Sequence, residues 1–247
     1  MKRIERQHLK ENKLAIAVTS FQGFLLEKQR QIVTVLAIAL VLLAGFAYNF
    51  VLGQQAQSAA QQMFGEAMVV LGAPVQPPIP EIEASEEAPG TPAFQAPGTY
   101  PTENAKREDA LEKFQKVVDA YPDTDAGIQA AYHLAGTLAA LNNFEEALLA
   151  YEVVIERTGE SLYGRMARLG KGNTHVLLEQ YEPAIEVYSQ LLDLSESGIP
   201  VDAVLLKLAH TYQAAGNADE AQGAFSRIVH EYPASPYSAE ARKEMLN

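Results

Sequence analysis

Histidine is the side chain best suited to acid–base chemistry and metal binding near neutral pH, and this 247-residue chain has five. None stands at metal-ligand spacing from another histidine or within an acid-rich cluster. The chain has no cysteine, which excludes disulfides and thiolate metal sites. It also lacks a Gly-rich phosphate loop, a Gly-x-Ser-x-Gly elbow and a paired-carboxylate motif. We therefore predict no catalytic residues, no metal and no cofactor, and hence a protein that is not an enzyme. The histidines are His8, His133, His175, His210 and His230.

The C-terminal part of the chain repeats with a period of 37 residues. An alanine recurs in each unit, followed four residues later by an aromatic residue and three residues after that by an aliphatic one. This pattern predicts tandem pairs of antiparallel helices. The small residue lets the two helices approach closely, and the aromatic residue fills the space between hairpins. The sets are Ala110-Phe114-Val117, Ala147-Tyr151-Val154, Ala184-Tyr188-Leu191 and Ala221-Phe225-Ile228.

One hairpin cannot bury its own apolar face, so neighbouring hairpins must stack. A generic helical bundle with coincidental spacing is the alternative, and four recurrences of three residue types disfavour it. Gly170 and Gly172 are best explained by close helix packing. His133, His175 and His210 fall in first helices, where we expect solvated or groove-lining side chains.

A second feature is an apolar run at residues 32–52, which has 21 residues and no charge. About 20 apolar residues span a bilayer as a helix. A signal peptide usually has a shorter apolar region, of about 7–15 residues, and a buried core helix would not explain the charges at its ends. Lys28 and Arg30 adjoin one end, whereas residues 31–105 contain no Lys or Arg. This asymmetry predicts a single-pass protein of the cytoplasmic (inner) membrane, with residues 1–31 in the cytoplasm and residues 53–247 outside it.

The charged residues also differ between the part before the apolar run and the rest of the chain. Residues 2–30 have seven basic and three acidic residues, while the remainder has 12 basic and 28 acidic residues. The acidic part argues against nucleic acid as a partner, because phosphate binding requires clustered Lys and Arg. Residues 9–27 fit an amphipathic helix on the inner leaflet, with a loosely ordered lead-in as the alternative.

Between the apolar run and the repeats, residues 53–72 are predicted to form a post-membrane helix. Residues 73–102 form an insert with eight prolines and four glutamates, which we expect to be extended and flexible. The first repeat unit has a clear second helix from residue 103 to 121 but no first helix. We expect residues 54–71 to fold back across the insert and cover it. The face available for this is Ala60, Phe64, Ala67, Met68 and Leu71.

Residues 103–247 resemble tetratricopeptide-repeat proteins, most closely over residues 208–233, LAHTYQAAGNADEAQGAFSRIVHEYP. Lys171 at a position that is usually leucine, and Glu196 in place of a closing proline, depart from the pattern. The final SPYSAEARKEML is similar to a first helix without a partner, which would serve as a terminal cap. The predicted fold class is therefore all-α: one transmembrane helix followed by a tetratricopeptide-type helical-hairpin solenoid over residues 103–247.

The whole layout resembles ancillary subunits of the bacterial Sec translocon of the YfgM type, and IERQHLKENKLA is loosely similar to their charged lead-in. The last hairpin, with Tyr-Pro-x-Ser, is also similar to envelope tetratricopeptide proteins. These resemblances imply a membrane-anchored, periplasmic scaffold for protein–protein interaction in protein export. Its partners would be the translocon, exported chains or periplasmic chaperones, with no small-molecule substrate. A scaffold of envelope assembly or cell division is the alternative.

In tetratricopeptide arrays the first helices line the concave face, which is the expected binding groove. Capture of a peptide carboxylate is disfavoured, because only Asn173, with Lys207 as a weak second, fits that pattern. We expect short apolar segments to bind instead. The alternative is that Tyr132, Met166 and Leu206 pack between hairpins and bind nothing. The groove residues are Gln129, Tyr132, Met166, Leu169, Asn173, Leu206, His210 and Gln213.

Overall fold

The computed structural model describes residues 28–80, 93–194 and 198–246, and this part of the chain contains nine α-helices. The amphipathic helix predicted at residues 9–27 lies outside it. The helices are α1 (Gln29–Leu71), α2 (Glu103–Ala120), α3 (Asp125–Ala140), α4 (Phe144–Thr158), α5 (Leu162–Leu177), α6 (Tyr181–Asp193), α7 (Val201–Ala215), α8 (Ala218–Glu231) and α9 (Ser238–Glu244).

From α2 onward the helices form a solenoid of hairpins, in which α3, α5 and α7 are first helices and α4, α6 and α8 are second helices. The repeated alanine, aromatic and aliphatic residues are all buried, and they lie on α2, α4, α6 and α8. Because each set points into the core from the same turn of its helix, the 37-residue period is structural. The expected all-helical hairpin solenoid is confirmed for the described residues.

The turn inside each of the three complete hairpins also repeats. Asn142, Glu179 and Gly216 are 37 residues apart and have left-handed backbones, with φ of 63°, 58° and 83°. In this conformation the next backbone N–H turns back to a carbonyl in the last turn of the first helix and satisfies it. Glu179 occupies a conformation that favours glycine or asparagine, so the repeat imposes the turn on it. The bonds run from Asn143 N to Leu138 O, Gln180 N to His175 O and Asn217 N to Tyr212 O, each 2.9 Å.

The chain divides into two compact units, residues 1–55 and 56–247. In the first, α1 is the one helix among the described residues that is long and apolar enough to cross a membrane. Its apolar side chains from Val33 to Leu52 are exposed throughout. The segments 32–52 and 53–72, predicted as separate helices, are one uninterrupted helix to Leu71. Gly53 is tolerated there because glycine in a helix costs only about 1 kcal/mol.

In the second unit, the last turns of α1 supply the missing first helix of the first hairpin. Ala60 and Ala67 are fully buried, and the ring of Phe64 lies 6.1 Å from that of Phe114 on α2. They share one apolar cluster with the repeat residues of α2. The expectation that residues 54–71 cover the first unit is therefore confirmed.

The two ends of the insert pair with each other through backbone hydrogen bonds. Ile79 and Phe94 exchange two backbone hydrogen bonds, of 2.9 and 3.1 Å, and Gln76 N donates to Tyr100 O at 2.9 Å. The Tyr100 hydroxyl also donates to Asp109 on α2. Residues 73–80 and 93–102 therefore pair locally through extended backbone, since β-forming residues lie between the prolines. The flexibility of the insert stays a prediction. Residues 81–92 lie outside the described part.

At the other end, α9 covers the last hairpin. Ala241 is fully buried and belongs to the cluster formed by α7 and α8, together with Tyr237 and Met245. The expectation of a terminal capping helix is confirmed.

Two glycines test the role of close packing. A Cβ atom at Gly172 would lie 2.5 Å from Cε1 of the buried Tyr188, whereas one at Gly223 on α8 would meet no atom within 4 Å. We expect Gly172→Ala to lower the free energy of unfolding by about 1–3 kcal/mol, because it overpacks the core. Gly223→Ala should instead raise that free energy by about 0.5–1 kcal/mol, because alanine favours helix. Chemical or thermal unfolding measures both, and a stabilising Gly172→Ala would contradict the packing.

Candidate protein-binding groove

The first helices lie side by side and form one face of the array. Between α3 and α5, the rings of Tyr132 and Tyr163 are 6.0 Å apart in an edge arrangement, and Tyr132 lies 6.2 Å from Tyr151. Aromatic rings at these distances attract each other beyond their simple burial. The α3–α5 seam is thus closed by three tyrosines.

Two of the repeated tyrosines lie against the backbone of α5, Tyr151 from the preceding hairpin and Tyr188 from the same hairpin. A Cβ atom at Gly170 would lie 2.4 Å from Tyr151 Cζ, so the Tyr151 ring on α4 rests directly on the backbone of α5. Tyr188 on α6 rests on Gly172, and its hydroxyl donates to Asn173 Oδ1 at 2.9 Å. Burial raises the pKa of Tyr151 to about 12 and that of Tyr188 further still. Both phenols are therefore neutral at physiological pH and serve as spacers.

The seam between α5 and α7 is more open. It holds a cavity of about 400 Å³. Tyr188 and Thr211 form its buried part, and the Thr211 hydroxyl donates to Lys207 O at 2.7 Å. Leu177 forms a wall and keeps 58% of its surface exposed. The cavity therefore offers apolar surface with a few polar groups at the rim, which suits a side chain of a bound segment. Its lining is Asn173, Val176, Leu177, Tyr188, Lys207, His210 and Thr211.

A second cavity, of about 390 Å³, lies where α3 and α5 begin. Gln129 and Tyr163 line it together with Arg157. The Arg157 guanidinium already donates to Pro122 O at 2.7 Å and lies 4.0 Å from Asp123. Its hydrogen-bonding capacity is partly used within the fold, so this cavity has less to offer a charged ligand.

The eight predicted groove residues fall into two groups. Asn173 and His210 line the larger cavity, and Gln129 lines the smaller one. The side chain of Gln213 lies 3.1 Å from His210 and donates to Glu244 at 3.2 Å. The other four pack partly buried against the aromatic residues or the apolar clusters, as the packing alternative describes, and binding by them stays a prediction. These are Tyr132, Met166, Leu169 and Leu206.

Five residues of the larger cavity were not among the predicted groove residues: Val176, Leu177, Tyr188, Lys207 and Thr211. The sequence does contain a signal for Leu177: the residues at the same position of the other two units are the small Ala140 and Ala214, so a large apolar residue is unusual there. Tyr188 was recognised only as a spacer between hairpins. It reaches the groove because the cavity opens beside its ring.

His133 corrects the expectation of a solvated or groove-lining histidine. Its ring is stacked on Phe114 at 5.5 Å and lies 5.7 Å from Phe64 and 5.4 Å from Tyr132. Burial lowers the pKa of His133 below its usual 6.5, so the ring is held in its neutral form. It joins the last turns of α1 to α2 and α3 as a packing residue.

Lys171 occupies a position that is usually leucine. Its ammonium group pairs with the carboxylate of Glu152, which links α5 to α4. Both side chains remain partly exposed, so the pair adds little stability, in the range of about 0–1 kcal/mol. The ion pair neutralises the charge of Lys171 at a position that is usually apolar.

Comparison with known proteins supports the architecture. A tetratricopeptide-repeat family model matches residues 203–235, within α7, α8 and the loop that follows. The crystal structure of the putative kinesin light chain TPR-like repeats of Podosopora anserina is 18% identical with a TM-score of 0.51, covering 58% of this chain and 77% of that one. YrrB, described as a TPR protein with an unusual peptide-binding site, is 21% identical with a TM-score of 0.43, covering 55% and 63%.

A third similar structure is MamA of Desulfovibrio magneticus RS-1, which is 18% identical with a TM-score of 0.44 and covers 53% of this chain and 68% of that one. The comparison with curated proteins found no match. At these identities the structural likeness shows the fold alone. The array is therefore a set of tetratricopeptide-like helical repeats, an architecture that generally serves as a non-enzymatic scaffold for proteins and peptides.

His133 predicts a pH dependence of stability. Because its pKa is lower in the folded state, the unfolded state binds the proton first as pH falls below about 6.5. Stability should therefore decrease from pH 6.5 downward until the folded-state pKa is passed. We expect His133→Phe, which keeps a stacked ring, to remove this part of the decrease. His175→Phe should retain it. Identical curves for the wild type and His133→Phe between pH 5 and 7 would contradict the argument.

Proposed function

We propose that this chain is a membrane-anchored scaffold whose tetratricopeptide-like array binds apolar segments of other proteins outside the cytoplasm. The fold supports proteins or peptides as the partner class. The segment class, the membrane anchor and the compartment are parts of the proposal. No catalytic role is included, because no constellation of residues in the sequence requires one.

The observation that carries the binding role is the cavity between α5 and α7. It combines an exposed leucine wall, a buried tyrosine ring and three polar rim residues: Asn173, Lys207 and His210. A side chain of an extended or helical segment could enter it, while the Lys207 ammonium and the Asn173 amide bond to the segment's backbone. Both ring nitrogens of His210 are already paired, with Gln213 and Glu240, so His210 contributes the surface of its ring. The polar groups are few, so binding should depend mainly on apolar burial and tolerate salt.

The anchor is proposed from α1. Its side chains from Val33 to Leu52 are apolar and exposed, an arrangement that water disfavours and a bilayer core favours. Lys28 and Arg30 precede this part of the helix, and the next basic residue is Lys106. The positive-inside rule supports a cytoplasmic N-terminus and an extracytoplasmic array.

The cellular role that we propose is that of an ancillary component of the protein-export translocon or its periplasmic chaperone network. A basic lead-in, one apolar helix and an acidic repeat array support it, and exported chains present the short apolar stretches that the cavity suits. Affinity capture of the full-length protein in mild detergent tests this role. Recovery of translocon subunits would support it, and recovery of outer-membrane assembly or cell-division proteins would favour the alternative scaffold.

The proposed topology predicts the behaviour of two reporter fusions. A reporter enzyme that is active only outside the cytoplasm should be active when fused after Asn247 and inactive when fused after Lys28. Western blotting checks that both fusions are made in equal amount. The reverse pattern would refute the proposed orientation.

The proposed groove predicts where partners can be crosslinked. A photo-crosslinking amino acid at Leu177 lies at the wall of the cavity and should capture apolar segments of partner proteins. The same amino acid at Glu186, exposed on the outer face of α6, should not capture them. Leu177 is a better probe than Tyr132 or Leu169, because those side chains support the packing of the array.

Two results would count against groove binding. One is equal crosslinking from Leu177 and Glu186. The other is a captured set of partners that does not change when Leu177 is replaced by aspartate, which should weaken the binding of apolar segments without burying a charge. Circular dichroism would check that Leu177→Asp keeps the wild-type helical content.

A further inference from the structure

The outer face of α4 carries an apolar pair that the other second helices do not carry at the corresponding positions. Leu149 is 70% exposed and Val153 is 39% exposed. They are four residues apart, so they lie next to each other on one side of the helix. Exposed single apolar residues are ordinary, but the repeat gives these two a direct comparison.

At the position of Leu149, the other second helices carry Glu112, Glu186 and Gly223, which are all exposed. At the position of Val153 they carry Lys116, Gln190 and Arg227, which are also exposed. The same helix in the same fold is thus built three times with polar residues or glycine at these two positions. The fold does not require leucine and valine there.

On α4 and α6 the charges around the pair are predominantly acidic, and the four basic residues of the preceding second helix, α2, each pair with a carboxylate of that helix. On α4, Glu145, Glu146 and Glu156 are exposed on the turns before and after the pair. The one basic residue of α4, Arg157, donates to Pro122 O. The next second helix, α6, has three acidic residues and no Lys or Arg.

We infer that Leu149 and Val153 form a docking site for a basic amphipathic helix of a partner protein. Such a helix would bury two of its apolar residues against the pair, while its flanking Lys and Arg lie near the surrounding carboxylates. The charges disfavour other occupants. A second copy of this chain would bring two sets of carboxylates together, and an anionic membrane surface would be repelled. The site goes beyond the proposed groove, with which it shares no residue.

The test uses the full-length chain in nanodiscs of phosphatidylcholine and a fluorescently labelled peptide. The peptide is an amphipathic helix of about 18 residues, long enough to fold on binding, with leucines on one face and lysines on the other. Its control has glutamate in place of every lysine. Fluorescence anisotropy should detect binding of the lysine peptide only.

The decisive variant is Leu149→Glu with Val153→Gln, which gives α4 the residues that α6 carries at these positions. It adds negative charge, so a purely electrostatic attraction would increase. The docking site instead predicts binding about tenfold weaker or more, because the apolar contact is lost. An unchanged melting temperature would show that the array is intact.

Transplanting the pair provides the matched gain of function. Adding Glu186→Leu and Gln190→Val to the first variant should restore peptide binding on α6, where acidic residues also flank the two positions. Unchanged or tighter binding by the Leu149→Glu, Val153→Gln variant would overturn the inference, and so would equal binding of the glutamate peptide. A wild-type dimer in sedimentation that this variant abolishes would also overturn it and assign the pair to self-association.

Discussion

The array depends on the contact between an aromatic side chain on one second helix and the backbone of a first helix. Tyr151 rests on Gly170 and Tyr188 rests on Gly172, each so closely that a Cβ atom would overlap the ring. The Tyr151 contact joins two adjacent hairpins and the Tyr188 contact joins the two helices of one hairpin, so burial of these rings requires first and second helices to lie against each other. The alanines one turn earlier on the second helices complete the close approach, and all four are buried.

The same contact explains where the array opens. His133, Gly170 and Lys207 occupy one position of the repeat. His133 stacks on Phe114, and Gly170 receives Tyr151. At the third site an exposed lysine stands beside Tyr188, and the larger cavity lies there. The larger cavity thus lies at the repeat in which this position carries an exposed lysine, whereas the residues at the other two positions are packed against an aromatic ring.

The parts of the fold predictable from sequence were those in which residue type repeats with position. The alanine, aromatic and aliphatic sets and the capping helix follow from the 37-residue period. A further set was available and missed: Thr137, Thr174 and Thr211 share that spacing, and each buried hydroxyl donates to the carbonyl four residues earlier. What could not be predicted depends on pairing between unlike segments. The stacking of His133 on Phe114 and Phe64 requires knowledge of which helices meet, and the short pairing of Ile79 with Phe94 lies in a proline-rich segment without a repeat.

The candidate binding surfaces lie where single residues differ from their counterparts in the other repeat units. In a repeat array, the residues that hold the fold recur at the same position of each unit. A residue that differs from its counterparts and is not needed for packing is therefore a candidate for partner binding. Leu177 lies on a first helix at a position where the other units have alanine. Leu149 lies on a second helix at a position where the other units have glutamate or glycine. Both side chains are exposed, at 58% and 70%, so neither departure improves the core. First and second helices form different faces of a hairpin solenoid, so the two departures provide separate surfaces with different chemistry. The two proposed surfaces share no residue, so a partner at one would leave the residues of the other exposed.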